Sequence, residues 1–406
     1  MNYSKEEVMQ YVQEEDVKFI RLAFCDVFGR QKNISIMPDE LPRAFKYGIA
    51  FDASAIRGFA DESRSDLFLH PDPSTLALLP WRPEHGKVVR MYAFITYPDG
   101  TPFECDTRNL LISAVEKAKA AGYSFYFGSE QEFYLFELDE NGEPTDRPYD
   151  KAGYMDIAPD DKGENVRREI CLTLEQMGIL PESSLHEEGP GQNEIDFRYS
   201  DALTAADNAQ TFHTVVRTIA RRNGVHADFS PKPLEGKPGN GFHINVSAEP
   251  SDSIEELRSM IAGVMEKISE LTLFFNPTPS SYRRFGASKA PVYISWSREN
   301  RSQLIRIPAA EGKFSRAELR SPDPSANPYL AFALIICAAL DGVKNKAMLP
   351  PPVNENLFTA GAELRDRLQK LPGSLEEAVR AAQSSDFLRQ NLPERILNIY
   401  CEKGPI

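Results

Sequence analysis

The stretch Ser124–Leu138 reads SFYFGSEQEFYLFEL, a strand-length run of aromatic and aliphatic residues with two carboxylates inside it. In a strand, residues two apart point to the same face. Glu130 and Glu132 therefore project together, while Phe125, Phe127, Phe133 and Leu135 mark a face for a core. An exposed polar strand face is the ordinary reading of such a pair. The flanking aromatics argue instead for carboxylates in an apolar setting, where they repel one another unless a cation or a proton lies between them. Such a chain needs a sheet with one face on a core and the other carrying concentrated charge.

The same combination recurs. In HEEGPGQNE, Glu187 and Glu194 flank a Gly-Pro-Gly turn that can bring two strands close together. Taken alone, this hairpin admits either a solvated tip or two carboxylates converging on one ion. GNGFHINVS places His243, Asn245 and Ser247 on one strand face behind a glycine-rich loop, and RAELRSPDP supplies Glu318. A histidine beside such a loop is ordinarily a hydrogen-bonded core residue, but here its face-mates are all hydrogen-bonding groups. Five carboxylates and one imidazole from separate strand-like segments form an oxygen-rich ligand set, suited to Mg²⁺ or Mn²⁺ more than to zinc. The loop matches neither a Walker A nor a GxGxxG pattern. His70, His85, His186, His213 and His226 have no ligand-like neighbours in sequence and read as structural.

Arginines cluster around these segments: Arg283 and Arg284 in SYRRF, Arg301 and Arg306 in NRSQLIRIP, and Arg316 and Arg320 around Glu318. For any one of them a surface salt bridge is the simpler explanation. Together they match phosphoryl transfer, in which metals bridge phosphates and guanidinium forks hold the transferred group.

The 406 residues carry a net charge of −14, which argues against a generic nucleic-acid binder, since that needs a basic face to neutralise phosphates. No run of about eighteen apolar residues suggests a membrane span. The polar, acidic N-terminus is unlike a signal peptide, and five scattered cysteines without CxxC spacing speak against a disulfide framework or a structural zinc site, so a cytoplasmic location is expected.

Patterning predicts an α+β fold in two parts: a small β-rich domain over 1–104, and a larger domain over 105–406 in which antiparallel strands carry the polar chemistry and helices pack behind them. Helices are expected after Ser4, from Asp106 to Gly122, over 160–177, 204–223 and 252–274, from Asn327-Pro328 to about 346, and after Ser374; Ser4/Glu7 and Ser374/Glu377 read as capping boxes. PVYISWS and QLIRIP read as strands.

The blocks GIAFDASAIRGF, GSEQEF, HEEGPGQNEIDF, FSPKPLEGKPGNGFHINVS, NRSQLIRIP and AELRSPDPSANPYLAFA, in this order, resemble type I glutamine synthetases over nearly the whole chain. The resemblance implies a β-grasp N-terminal domain, a catalytic domain, and a homo-oligomeric ring, hexamer or dodecamer, with active sites between subunits. It implies that Glu132, Glu187 and Glu194 hold one metal ion, and that Glu130, His243 and Glu318 hold another against the ATP phosphates. Arg284, Arg301, Arg306 and Arg320 would address the substrate carboxylate and the phosphoryl group, with Gly239 in the glutamate-binding loop. Glu182, Ser247 and Arg316 would contact ATP along with Arg306. Asp52 would reach into the neighbouring subunit and take a proton from ammonium. The implied reaction phosphorylates the glutamate γ-carboxylate with ATP, after which an amine attacks the acyl phosphate.

The chain departs from that pattern in several places. Lys289 stands in FGASKAPV where the family has a glutamate that closes the site, and Ala55 replaces a serine near the ammonium pocket. Asn245 replaces the second histidine of an HxH strand, and Phe358 stands where some members carry an adenylylated tyrosine. A short C-terminus sets the expectation of a double ring against that of a single one. Reversed charge at Lys289 disfavours ammonium capture. Three activities follow: a glutamate–ammonia ligase with an altered ammonium site, a ligase making a γ-glutamyl amide from another amine, or a catalytically weak regulatory homologue.

Overall fold

The computed structural model describes residues 3–60, 62–82, 85–250, 253–308 and 316–404. The N-terminal region builds a sheet in the order Gln31–Ile36, Val17–Cys25, Lys87–Thr96, Asp66–Pro71, Ile49–Asp52, with the short strand Ala77–Leu78 also on Lys87–Thr96. Val17–Cys25 turns back onto Gln31–Ile36 through a loop in which the Asp26 carboxylate accepts the N–H groups of Phe28 and Arg30. Val17–Cys25 runs parallel to Lys87–Thr96. The Ser4 hydroxyl and the Glu7 carboxylate cap helix Lys5–Glu14 reciprocally, as the sequence predicts.

The larger sheet runs Trp296–Arg298, Ile305–Ile307, Ala317–Leu319, Phe242–Glu249, Ser124–Leu138, Gln192–Asp201, Pro181–His186, with Pro144–Pro148 and Val225–Asp228 also on the central strand. Its pairings are antiparallel except for Trp296–Arg298 with Ile305–Ile307. One face packs on helices: Phe127 stacks on Phe332 of helix Pro328–Lys344, with ring centroids 4.2 Å apart. That helix is apolar all round and lies against Ile254–Phe275. A methyl on Gly263 would meet the Ala338 carbonyl oxygen at 2.3 Å, so the two helix backbones approach as only glycine allows. Buried Arg108 joins the two regions, donating to Asp72 and Asp207 at 2.9 Å each, and the Tyr329 hydroxyl donates to the same Asp207.

Several helix ends fall where the sequence places them. Asp106 and Asn327 cap helices with their side chains, and Gly122, Gly178 and Gly224 follow helix ends with positive φ. The helix expected over 204–223 begins earlier, at Ala202, because Asp201 caps it. The long apolar helix runs Ile254–Phe275 from a Ser253 cap; residue 252 of the expected span lies outside the described residues, as do 405 and 406 of the C-terminal stretch. Two readings are corrected. Ser374 caps its helix, but the Glu377 carboxylate accepts from the Gly373 N–H rather than closing a box on Ser374. Of PVYISWS, only its end is strand, in Trp296–Arg298. The earlier residues turn to the 369–371 segment, where Ile294 donates to the Gln369 carbonyl and Leu371 to that of Val292.

Candidate active site

Register decides which charges meet. Across the antiparallel pair of Ser124–Leu138 and Gln192–Asp201, Glu132 faces Glu194 and Glu130 faces Asp196. Like charges directly opposite one another destabilise a sheet, and here two such pairs lie side by side. On the other flank His243 faces Glu130, and further along Glu318 lies between Asn245 and Arg306.

Two overlapping ligand sets result: Glu132, Glu187 and Glu194 in one, Glu130, Glu194 and His243 in the other, each with ligand atoms within 4.8 Å of one another. Glu132 is held by the Gly241 N–H at 2.8 Å and by the Gln192 amide at 3.2 Å. Burial, and then the charge of Glu132, push the Glu187 carboxyl up to about 7. Burial and the neighbouring acids Asp196, Glu132 and Glu187 likewise raise Glu194. Glu130 behaves oppositely. Burial disfavours its ionisation, but hydrogen bonds from His243 (3.3 Å) and Asn245 (2.9 Å) outweigh that and hold it at about 2. Buried carboxylates such as Glu187 and Glu194, raised by their acidic neighbours, fit a divalent cation, which removes the repulsion that burial enforces.

Glu318 is fully buried. Its Oε1 lies 3.8 Å from His243 Nδ1, but its carboxylate accepts from both Arg306 and Arg320. Arg284 is buried as well, donating to the carbonyls of Ser321 (2.8 Å) and Arg320 (3.1 Å). Arg301 is exposed and shares with Arg284, Arg306, Arg316, Arg320 and the carboxylates a cleft of about 450 Å³. Gly239 lines it too: a methyl there would meet the Pro231 carbonyl oxygen at 2.4 Å and Arg284 Cγ at 2.9 Å. Arg283 of the same cluster pairs instead with Glu235 at the surface.

A second cleft of about 580 Å³ shares Glu130, Asp196 and Arg316 with the first and contains Glu182 and Ser247. Asp52 lines neither cleft. It ends strand Ile49–Asp52 at the surface, where the Ser54 hydroxyl and N–H hold its carboxyl below the usual range. Lys289 lies on the wall of the first cleft, its ammonium on Glu188 and 5.4 Å from the Tyr154 ring centroid.

Two groups escaped the sequence reading. Asp196 lies two residues beyond Glu194, so the same alternation that pairs Glu130 with Glu132 places it on the charged face; burial and nearby acids raise it to about 7. His186, read as having no ligand-like neighbours, is fully enclosed against Asp150 at 2.9 Å and belongs to a buried group with Asp150 and Asp161. Asp150 is 36 residues away, so spacing carries no signal of it.

Residues 16–98 match the family model for the glutamine synthetase β-grasp domain, and 104–403 that for the glutamine synthetase catalytic domain. The chain is 43% identical over 413 residues to a glutamine synthetase of Clostridium saccharobutylicum, covering 98% of this chain and 93% of that protein. A glutamine synthetase of Methanosarcina mazei is 44% identical over 416 residues, with the same coverage of each. A solved structure described as a GmaS/ADP complex superposes with a TM-score of 0.87 at 27% identity, covering 97% of this chain and 93% of that one. The first sheet is thus a β-grasp domain and the second the framework of a catalytic domain, and the chain belongs to the glutamine synthetase family.

Proposed function

We propose that this chain is an ATP-dependent ligase that phosphorylates the γ-carboxylate of glutamate and condenses the product with ammonia to form glutamine. The observation that carries this reading is the pair of ligand sets joined at Glu194, sharing one cleft with five arginines. In it, Glu132, Glu187 and Glu194 hold one divalent ion, and Glu130 and His243, with Glu318 beside them, hold the other. Bound Mg²⁺ or Mn²⁺ supplies charge neutralisation at the phosphate oxygens. Arg306 and Arg320, fixed by Glu318, present guanidinium donors to the transferred phosphoryl group.

Arg284 and Arg301 receive the substrate carboxylate beside Gly239. Glu182, Ser247 and Arg316 line the adjoining cleft and contact ATP. A γ-carboxylate oxygen bonds to the terminal phosphorus as ADP leaves; the amine nitrogen then bonds to the acyl carbon as phosphate leaves and a proton is lost. Asp52, ionised and exposed, serves a neighbouring subunit in a homo-oligomeric ring, attracting the cationic acceptor and taking that proton. A cytoplasmic enzyme accords with the absence, among the described residues, of a helix long and apolar enough to cross a membrane.

One observation favours a second acceptor: Lys289 puts an ammonium on the cleft wall beside Glu188, which weakens local attraction for NH₄⁺ and suits another amine. Glutamate-dependent phosphate release from ATP, measured with ammonium and with a panel of amines, separates the two. Fast turnover at low millimolar ammonium sinks the second reading; turnover confined to an organic amine sinks the first. No glutamate-dependent release with any acceptor overturns both.

A further inference from the structure

We infer that Asp150 and His186 form a buried clamp that positions the Glu187 turn, acting on the ion site through the backbone; this rests on the metal reading above. Asp150 Oδ1 accepts from His186 Nε2 at 2.9 Å, from the Gly191 N–H at 2.9 Å and from the Ala152 N–H at 3.2 Å, while Oδ2 accepts from the Lys162 N–H at 3.2 Å. A single carboxylate thereby grips both stems of the 186–191 turn, with Glu187 between them.

His186 completes the grip. Its Nδ1 lies 2.7 Å from the carbonyl oxygen of Glu187. The ring therefore bridges the two, one nitrogen on the Asp150 carboxylate and the other on the Glu187 carbonyl. The carbonyl of Glu187 is thus tied through the imidazole to Asp150. The side chain of Glu187 has no comparable restraint: its own recorded hydrogen bond is to the neighbouring Glu188 N–H. Where Glu187 points is set from below.

Asp150, Asp161 and His186 also have the spacing of a third ion site. Their existing partners argue for the clamp instead. Arg167 forks onto Asp161 at 3.2 and 2.5 Å and reaches Asn193, and Asp150 is already engaged by His186 and three backbone N–H groups. Partners behind a ligand fix its orientation, and their loss typically costs about ten- to a hundredfold in metal affinity.

The test is Mn²⁺ binding to the nucleotide-free full chain by calorimetry, with melting temperature recorded alongside. Asp150→Asn is expected to weaken Mn²⁺ binding at least about tenfold and to raise KM for glutamate while KM for ATP stays unchanged. His186→Asn, which leaves Asp150 on Gly191 and Ala152, is expected to act in the same direction and serves if the first variant does not fold. Asp207→Asn, which disrupts a buried ion pair elsewhere, is expected to lower melting but leave Mn²⁺ affinity intact. Parent-like Mn²⁺ binding by folded clamp variants, or equal weakening by Asp207→Asn, overturns the clamp. A parent chain that binds no Mn²⁺ overturns the metal reading itself.

Discussion

Replacing Glu187 by glutamine is expected to stabilise the metal-free protein, by an amount that grows with pH. Burial and the nearby charge of Glu132 hold the Glu187 carboxyl at about 7, against an ordinary 4.5. Between those values the folded chain binds more protons than the unfolded one, so this group's contribution to stability falls as pH rises through the window. For a single site with these two constants, the loss is about 1 kcal/mol at pH 5 and about 3 kcal/mol at pH 7.5. Glutamine does not titrate, so the variant's advantage should widen by about 2 kcal/mol over that range.

The assay is urea unfolding of parent and variant in EDTA at pH 5, 6.25 and 7.5. Comparing the two proteins removes most of the titration they share, including that of His186. With Mn²⁺ in place of EDTA at pH 7.5 the order should reverse, because the parent alone keeps the carboxylate that the ion needs. A difference that stays flat with pH in EDTA, or one that shrinks, refutes the account of Glu187 as a buried carboxylate in need of a cation.

Glu318→Gln should destabilise the protein by about 3–5 kcal/mol, because it strips the countercharge from Arg306 and from buried Arg320, and thermal unfolding reads it directly. A shift of under about 1 kcal/mol would mean these arginines find other partners. Gly239→Ala should raise KM for glutamate by more than about tenfold, since its methyl drives against the Pro231 carbonyl and Arg284, while KM for ATP holds. Equal changes in both constants would show a general collapse of the cleft. Lys289→Glu should lower KM for ammonium in the phosphate-release assay; unchanged or poorer kinetics would count against the charge argument for that loop.

Much of this site is legible in one dimension because strand alternation is local. Ser124–Leu138 is a strand over the whole predicted stretch, and the rule that sets Glu130 beside Glu132 also sets Glu194 beside Asp196. The Gly-Pro-Gly turn likewise announces the hairpin that joins Pro181–His186 to Gln192–Asp201. Pairings between distant segments were not legible. PVYISWS has the composition of a strand, yet most of it is drawn to residues 369–371, a partner that no local pattern names. His186 read as structural for the same reason, its carboxylate partner lying far off in the chain.

By itself, the sequence determined which residues alternate, where helices begin and end, and which acids and arginines stand in apolar strands. These follow from backbone geometry over a few residues. Only the tertiary structure decided that Glu194 falls in both candidate ligand sets, that Glu318 is engaged by two arginines, and that Asp52 lies outside the cleft. Those outcomes depend on strand register and on how neighbouring strands pack, not on local pattern alone. A one-residue slip in register turns every side chain to the opposite face, and nothing local in the chain records which register the core will select.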